Sequence, residues 1–390
     1  MSATPIYAGQ TFFAPTFQIK LKGQQLRDDV VRDVLQVSYT DDLENLDSFE
    51  FTLNDWDPVQ RVPKYSSPFD EGGQPVTTIG NQAVANFEPG AIVELYMGYQ
   101  GGEDPTLMMT GQIVSISPNF PASGNPTLRV RALNLLFTLQ RGQEVVVYED
   151  GETDSEIAED IASRLGVEIE IPPGQQAQET PSTYVVINNQ YPILFLARLA
   201  RRRGYDLYVS LSQDGETSTL FFGRKANAET TYELEWGRSL VQFTPTLKTK
   251  GQVSRVTVRG WDPTQSGDDR TIEGEATLED LGLEMPDAEL LREIDSALAE
   301  SYEEVVDQVI QSQEEADFLA LGILRENVRG LITGRGSTVG FPALRAGRRV
   351  RLSGMGVRYS GDYMVTKTTH TIGASGYTTQ FEARMEVLRD

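Results

Sequence analysis

A passage that occurs twice constrains this chain more than any other feature. One copy, Pro89–Gly98, reads PGAIVELYMG, and the other, Ala346–Gly356, reads AGRRVRLSGMG. In each, a glycine stands three positions before a valine, and a leucine follows two positions after it. These are Gly90, Val93 and Leu95 in the first copy and Gly347, Val350 and Leu352 in the second. Apolar residues two apart have the period of a half-buried strand. Each copy then runs through a glycine (Gly111, Gly361) into an alternating segment. A further glycine (Gly124, Gly376) leads into a last strand, Thr127–Ala132 and Thr379–Met385. The copies stand 257 positions apart (347 − 90). A chain with two like β-units presents equivalent surfaces twice, which suits a structural ring component better than an enzyme.

The 390 residues allow two to four domains. With 39% apolar and 23% charged residues, 35 glycines and 19 prolines, the composition is globular and turn-rich. No window approaches the ~18 apolar residues of a membrane span. The N-terminal MSATPIYAGQTFFAP lacks the basic and apolar regions of a signal peptide. There is no cysteine, which excludes disulfides, thiolate catalysis and Cys-ligated metals.

The net charge of −23 is uneven. Asp268–Asp317 holds 18 acids against 2 arginines, a net −16, and leaves about −7 for the rest (−23 + 16). Arg325–Arg351 holds seven arginines and one acid, a net +6. Overall negativity disfavours nucleic acid and anionic membranes as partners. The acidic stretch reads as a solvated helical face or as an arm that docks on the basic stretch of a neighbour.

Along the chain, Phe17-Ile19-Leu21 and Phe49-Phe51-Leu53 alternate as strands, with another over Val30–Tyr39. Residues 58–86, broken by Pro58, Pro63, Pro68, Gly72-Gly73 and Pro75, read as a long exposed loop. Strands resume at Ile92–Met97, Leu107–Ile116 and Leu128–Ala132. Thr153-x-x-Glu156 is a capping box before a helix that Gly166 ends. A second helix runs from about Pro192 to Arg203, before Gly204, and a hairpin turns at Gln213-Asp214-Gly215. Residues 252–261, QVSRVTVRGW, read as an alternating strand in which Val253, Val256 and Val258 are prominent. A helix is expected over Leu290–Ile310, and another, capped by Ser312-x-x-Glu315, over Gln313–Val328.

The residues offer little for catalysis. His370 is the only histidine, so any Ser-His-Asp triad must use it, and it sits in the alternating TKTTHTIG without a nucleophile elbow. One histidine and no cysteine cannot build a usual zinc or copper site. No EF-hand string occurs. Gly334-Arg-Gly336 with Gly340 follows a helix and precedes a strand, the wrong order for a dinucleotide fingerprint, and reads as a turn or linker. Among 57 acids, Asp41-Asp42, Asp55/Asp57 and Asp268-Asp269 are close pairs of the kind a glycosidase uses. Trp56-Asp57-Pro58 and Trp261-Asp262-Pro263 share a string that predicts a common corner. In it, Trp56 and Trp261 cover a barrel end and proline stops the ladder.

The ordered set of stretches resembles the phage late control gene D proteins, baseplate hubs of contractile tails, and the hub half of VgrG-type spike proteins. The stretches are FAPTFQIKLKGQQL, DSFEFTLND, FEPGAIVELYMGY, LMMTGQIVSISPNFP, NQYPILFLARLARRRGYDLYV, LEWGRSLVQFTPTL, QVSRVTVRGWDP and GFPALRAGRRVRLSGMGVRYSGDYMVTKTTH. The resemblance spans nearly the whole chain and is weakest over 266–311.

It implies a mainly β, α+β fold. A first tube-like barrel fills 1–145 with the 58–86 insertion, and a small α/β domain fills 146–245. A second barrel is built from 246–265 and 330–390, and an acidic helical insertion occupies 266–329. It further implies a non-enzymatic homotrimer without cofactors: a pseudo-sixfold ring joining a hexameric inner tube protein to a trimeric spike, among other baseplate proteins. Since the chain ends at Asp390 without β-helix repeats, the spike is expected to be a separate chain. Such a hub would be assembled in the cytoplasm and belong to a phage tail, a bacteriocin or an injection particle. The alternatives are a tail-tip carbohydrate hydrolase using an acid pair, or a receptor- or glycan-binding module using loop 58–86.

Overall fold

The computed structural model describes residues 3–7, 12–43, 45–59, 61–66, 78–79, 82–83, 87–101, 104–134, 140, 142–149, 151–181, 185–203, 205–211, 218–223, 231–249, 252–261, 271–281, 301–306, 310 and 312–387. Most of loop 58–86, the hairpin at 213–215, Gly204, Asp262-Pro263 and most of the acidic 266–300 lie outside them.

The first β-unit consists of β1 (Thr4–Pro5), β2 (Pro15–Leu21), β3 (Gln24–Gln25), α1 (Asp28–Asp33), β4 (Val34–Asp42), β5 (Ser48–Asn54), a small hairpin β6 (Thr78–Ile79) and β7 (Gln82–Ala83), β8 (Ile92–Tyr99), β9 (Thr106–Asn119) and β10 (Thr127–Asn134). A single helical turn, α1, takes the first half of the strand expected at Val30–Tyr39. An α/β unit follows: β11 (Glu144–Tyr148), α2 (Asp154–Leu165), β12 (Glu168–Glu170), β13 (Val185–Gln190), α3 (Pro192–Arg203), β14 (Asp206–Leu211) and β15 (Ser218–Gly223). The Thr153 hydroxyl accepts from Glu156 N, and the Glu156 carboxylate accepts from Thr153 N at 2.8 Å, so the capping box forms. Gly166 ends α2 at φ +69°, in the left-handed region. Ile157, Ile161, Leu196, Leu199 and Phe222 fill this unit's own core.

The rest of the chain departs from the expected boundaries. β16 (Tyr232–Glu235) and β17 (Leu240–Leu247) belong to the second β-unit, although both begin before residue 246. β18 (Arg255–Trp261), expected in the second barrel, instead pairs with β19 (Thr271–Thr277) and β20 (Tyr302–Val305) in a separate three-stranded sheet. β20 falls where a helix was expected: Tyr302–Val305 is paired parallel to Arg255–Val258, with only Val305 partly buried. Between β19 and β20 lies the short α4 (Leu278–Leu281), and α5 (Gln313–Arg329) packs on this sheet. Ser312 Oγ accepts from Glu315 N at 3.1 Å at the start of α5. A Cβ on Gly274 would stand 2.2 Å from the Ala316 carbonyl carbon, so the helix backbone lies directly on β19. The unit closes with β21 (Ile332–Val339), β22 (Arg349–Ser353), β23 (Gly361–Gly373) and β24 (Gly376–Met385). Gly334 and Gly336, expected in a turn, lie inside β21. A Cβ at either would collide with the Phe243 ring, at 2.2 and 2.9 Å, so the glycines clear space for that aromatic side chain.

The two β-units share one topology. The first runs β4-β5-β10-β9-β8 with β2 outside, and the second runs β17-β21-β24-β23-β22 with β16 outside. All pairs within these five-strand runs are antiparallel. The outer strand differs: β2 is antiparallel to β8, whereas β16 is parallel to β22. Even the irregularities repeat. β9 bulges at Val114, between the residues paired with Ala132 and Arg131, and β23 bulges at Thr366. β4 bulges at Leu35 and β17 at Val241. Register therefore aligns Ile113 with Val365, Ala132 with Ala383, and Val34 with Leu240.

The units, among the described residues, show no closed barrel. Among the described residues they join in a single 14-stranded sheet. The long strand β23 makes the join: its first half pairs with β22, its second half with β4, and its other edge with β24 throughout. Tyr39, Phe49, Phe51 and Met97 fill the first core, and Tyr363, Phe381, Val350 and Leu352 the second. No helix among the described residues is long and apolar enough to cross a membrane.

Candidate functional site: the repeat strands and the junction they build

The repeated passage forms equivalent structure in both units. Gly90 and Gly347 adopt φ of +93° and +79°, which a Cβ disfavours. Gly90 N donates to Ile113 O, and Gly347 N donates to Val365 O, both at 2.8 Å. Ile113 N returns a bond to Ala91 O, and Val365 N to Arg348 O, both at 2.9 Å. Val93, Leu95, Val350 and Leu352 are fully buried. One correspondence fails: Val93 pairs with Gly111, but Val350 pairs with Tyr363, so Gly111 and Gly361 are two positions out of step. Substituting Gly90 by alanine would place its Cβ in ordinary contact, 3.7 Å from Gln112 Nε2, without a clash. The backbone strain alone should then cost about 1–2 kcal/mol in a chemical denaturation series.

The tryptophans do not share a corner. Trp56 leaves β5 of the first unit, while Trp261 ends β18 in the separate sheet and is 58% exposed. Asp55 and Asp57 act on the backbone. Asp55 is buried, and its Oδ1 accepts from Tyr65 N at 2.6 Å and Ser66 N at 3.2 Å, while Asp57 Oδ1 accepts from Val59 N at 2.8 Å.

The β4–β23 junction holds a buried polar cluster. Alternation along β4 turns Val37, Tyr39 and Asp41 inward, and along β23 it turns in Thr368, His370 and Ile372. Arg345, from the turn before β22, inserts between the units. Its Nε donates to Asp41 Oδ2 at 2.9 Å, and its Nη2 donates to Tyr39 OH at 2.5 Å and to Met108 O at 2.8 Å. Its guanidinium lies 4.6 Å from the Tyr39 ring centroid. Ala346 N and the Thr368 hydroxyl also donate to Asp41. Tyr39 OH donates to Asp47 Oδ2 at 3.3 Å. Burial, reinforced by the charge of Asp41, raises the Asp47 carboxyl to about 8.

His370 completes the cluster. Its Nε2 lies 2.9 Å from the Leu344 carbonyl, so Nε2 carries the proton. Nδ1 then accepts from the hydroxyls of Tyr377 and Thr379, both at 3.0 Å. Burial lowers its pKa to about 4, which keeps the ring neutral. Tyr99 of the first unit donates to Gly340 O at 2.8 Å, and its ring lies 5.5 Å from that of Tyr377. A Cβ at Gly340 would stand 2.0 Å from the Tyr377 ring. These groups fix the relative placement of the two units. The sequence singles out only His370 and, as half of a candidate acid pair, Asp41, which here binds Arg345, Ala346 N and Thr368. In-phase alternation was the available signal, since Asp41 falls on the face of Val37 and Tyr39.

The opposite face of the same junction is polar. Thr40 and Thr369 hydroxyls meet at 3.2 Å, and Lys367 pairs with Asp42 at 3.1 Å. Farther along, Arg335 pairs with Glu382 at 3.1 Å and Arg129 with Glu50 at 3.2 Å. The basic stretch is largely neutralised inside the chain: Arg329 pairs with Glu326, Arg349 with Glu386 and Arg351 with Asp362. Among the described residues, no cluster of three acidic or histidine side chains is placed to hold a metal.

The model of a family described as the Alg8 N-terminal domain matches residues 14–374, which takes in the first β-unit from β2 onward and the second up to β23. The chain belongs to that family. Its description differs from that of the late control gene D proteins, which the residue pattern resembles. No curated protein sequence matches the chain. In fold it is similar to a 43 kDa tail protein of prophage MuSo2 from Shewanella oneidensis. The TM-score is 0.66 at 13% identity, over 95% of this chain and 98% of that one. A tail protein from Neisseria meningitidis gives 0.65 at 14% identity, over 96% and 97%. An Escherichia coli component of the type VI secretion system, itself similar in structure to bacteriophage tail proteins, gives 0.52 at 11% identity, over 95% and 77%. At these identities the shared property is the fold.

Proposed function

We propose that this chain is a structural baseplate hub of a contractile tail or injection system. Three copies form a pseudo-sixfold ring that joins a hexameric tube to a trimeric spike. The observation that carries this reading is the pairing of two topologically equivalent β-units, edge to edge, in a chain with a tail-protein fold. Two such units on each of three copies offer six equivalent positions. The work is done by strand edges and sheet faces, without catalysis. The acid pair that a hydrolase would need, Asp55 and Asp57, is engaged in holding turns. Solution mass, measured alone and with tube and spike proteins, tests the proposal. A trimer that binds both is expected, and a chain that stays monomeric at high concentration with both partners present would refute it.

A further inference from the structure

The repeat defines two junctions, and one chain makes only one of them. Inside the chain, the second half of β23 is covered by β4. The equivalent half of β9 lies beyond Ile113. Its partner β8 pairs with β9 only as far as Gln112, opposite Ile92, and no strand among the described residues covers the rest. Likewise β17, the equivalent of β4, pairs with β21 alone.

We propose that β17 of one copy lies against the uncovered half of β9 in a second copy, in the register of the internal junction. This rests on the ring reading above. By the alignment already given, Ile116, Ser117 and Pro118 take the places of Thr368, Thr369 and His370. Thr244, Pro245, Thr246 and Leu247 take those of Ser38, Tyr39, Thr40 and Asp41. Ser117 of one copy then faces Thr246 of the next, as Thr369 faces Thr40.

The side chains fit this assignment. Where the internal junction buries Asp41, Thr368 and His370, the free edges carry Leu247, Ile116 and Pro118. Ile116 is half-buried at the rim of the first core, and Leu247 and Phe243 at the rim of the second. Beyond them, Phe120 is 61% and Val241 72% exposed. Each edge thus ends on an apolar rim that a neighbour's rim would cover. The rims are different surfaces, so the contact is head-to-tail and must close into a ring or run on.

The prolines set the character of the contact. Leu43 N donates to Thr366 O at 3.0 Å, so odd-numbered residues of β4 bond toward β23, including Tyr39 on its rung with His370. Lys248 N donates to Leu331 O at 2.9 Å, so even-numbered residues of β17 bond toward β21, and the nitrogen of Pro245 faces the free edge. Pro118 and Pro245 therefore meet on one rung with no N–H from either side. Such an edge resists pairing with unrelated strands. The contact between copies relies on apolar side chains more than on the ladder.

The cysteine-free chain makes the test simple. Full-length S117C/T246C carries one thiol on each edge. Within one chain the two sites are seven strand steps apart, from β17 through β21, β24, β23, β4, β5 and β10 to β9. At ~4.8 Å a step that is a path of roughly 34 Å along the sheet, and the mass of the covalent product shows that copies have been linked. The rung is of the kind that brings Cα atoms to ~4.5 Å, within disulfide reach. Mild oxidation should convert most of the protein into covalent oligomers on non-reducing gels, while S117C/Q242C, four residues out of register, should stay unlinked. A trimer by solution mass that S117C/T246C does not link would overturn the strand assignment and leave the ring reading intact. A chain monomeric even with tube and spike would overturn both.

Discussion

Arg345→Met should lower stability by about 3–5 kcal/mol, the scale expected when one partner of a buried ion pair is removed. The guanidinium is well covered, with its side chain 18% exposed and that of Asp41 7%. It gives bonds to Asp41, to Tyr39 and to the Met108 carbonyl. The neighbouring Asp and Tyr groups hold it fully protonated against the cost of burial. Methionine fills similar volume but leaves the Asp41 carboxylate with only the Ala346 N–H and the Thr368 hydroxyl. Adding Asp41→Asn to the variant should recover part of the loss, because the uncompensated charge goes with it, so the two changes should be markedly non-additive. The measurement is a double-mutant cycle by chemical denaturation. A loss under 1 kcal/mol for Arg345→Met would mean that the units are held together by the apolar core alone.

The fold was partly legible because some signals are local. The Gly-x-x-Val-x-Leu passages locate β8 and β22, since a turn glycine followed by alternation depends on neighbours in sequence. The capping box of α2, the Ser312 cap of α5 and the bounds of α3 were readable for the same reason. Partner choice was not. QVSRVTVRGW alternates as cleanly as any barrel strand, yet its partners β19 and β20 lie in the acidic region, so β18 leaves the main sheet. Glycines 334 and 336 look like a turn until Phe243, far off in sequence, is placed over them. Asp41, Arg345 and His370 belong to segments some 300 residues apart, and only tertiary pairing converts three ordinary polar residues into one cluster. The phase of Asp41 with Val37 and Tyr39 marked it as inward-facing, but nothing local named its partner.

The same cluster makes an opposing pair of pH responses, separable by mutation. His370 titrates near 4 in the fold against 6.5 in the unfolded chain. Between those values the unfolded chain holds the extra proton, so this group's contribution is present above pH 6.5 and is lost as pH falls toward 4. The lost contribution is about 3 kcal/mol. Asp47 titrates near 8 in the fold against 3.8 unfolded. There the folded state holds the extra proton, so its contribution is full below about pH 4 and is lost as pH rises through 8. From pH 4 to 6.5 the two slopes oppose each other with one proton apiece. From 6.5 to 8 Asp47 acts alone and stability falls. Asp47→Asn should therefore remove the decline above pH 6.5 and uncover a rise between 4 and 6.5. His370→Gln should do the reverse and give a steady decline from 4 to 8. Denaturation midpoints taken every half pH unit for the three proteins would show this. Parallel curves would mean that neither group is held in its buried, neutral form, and that the junction between the two β-units is open to water.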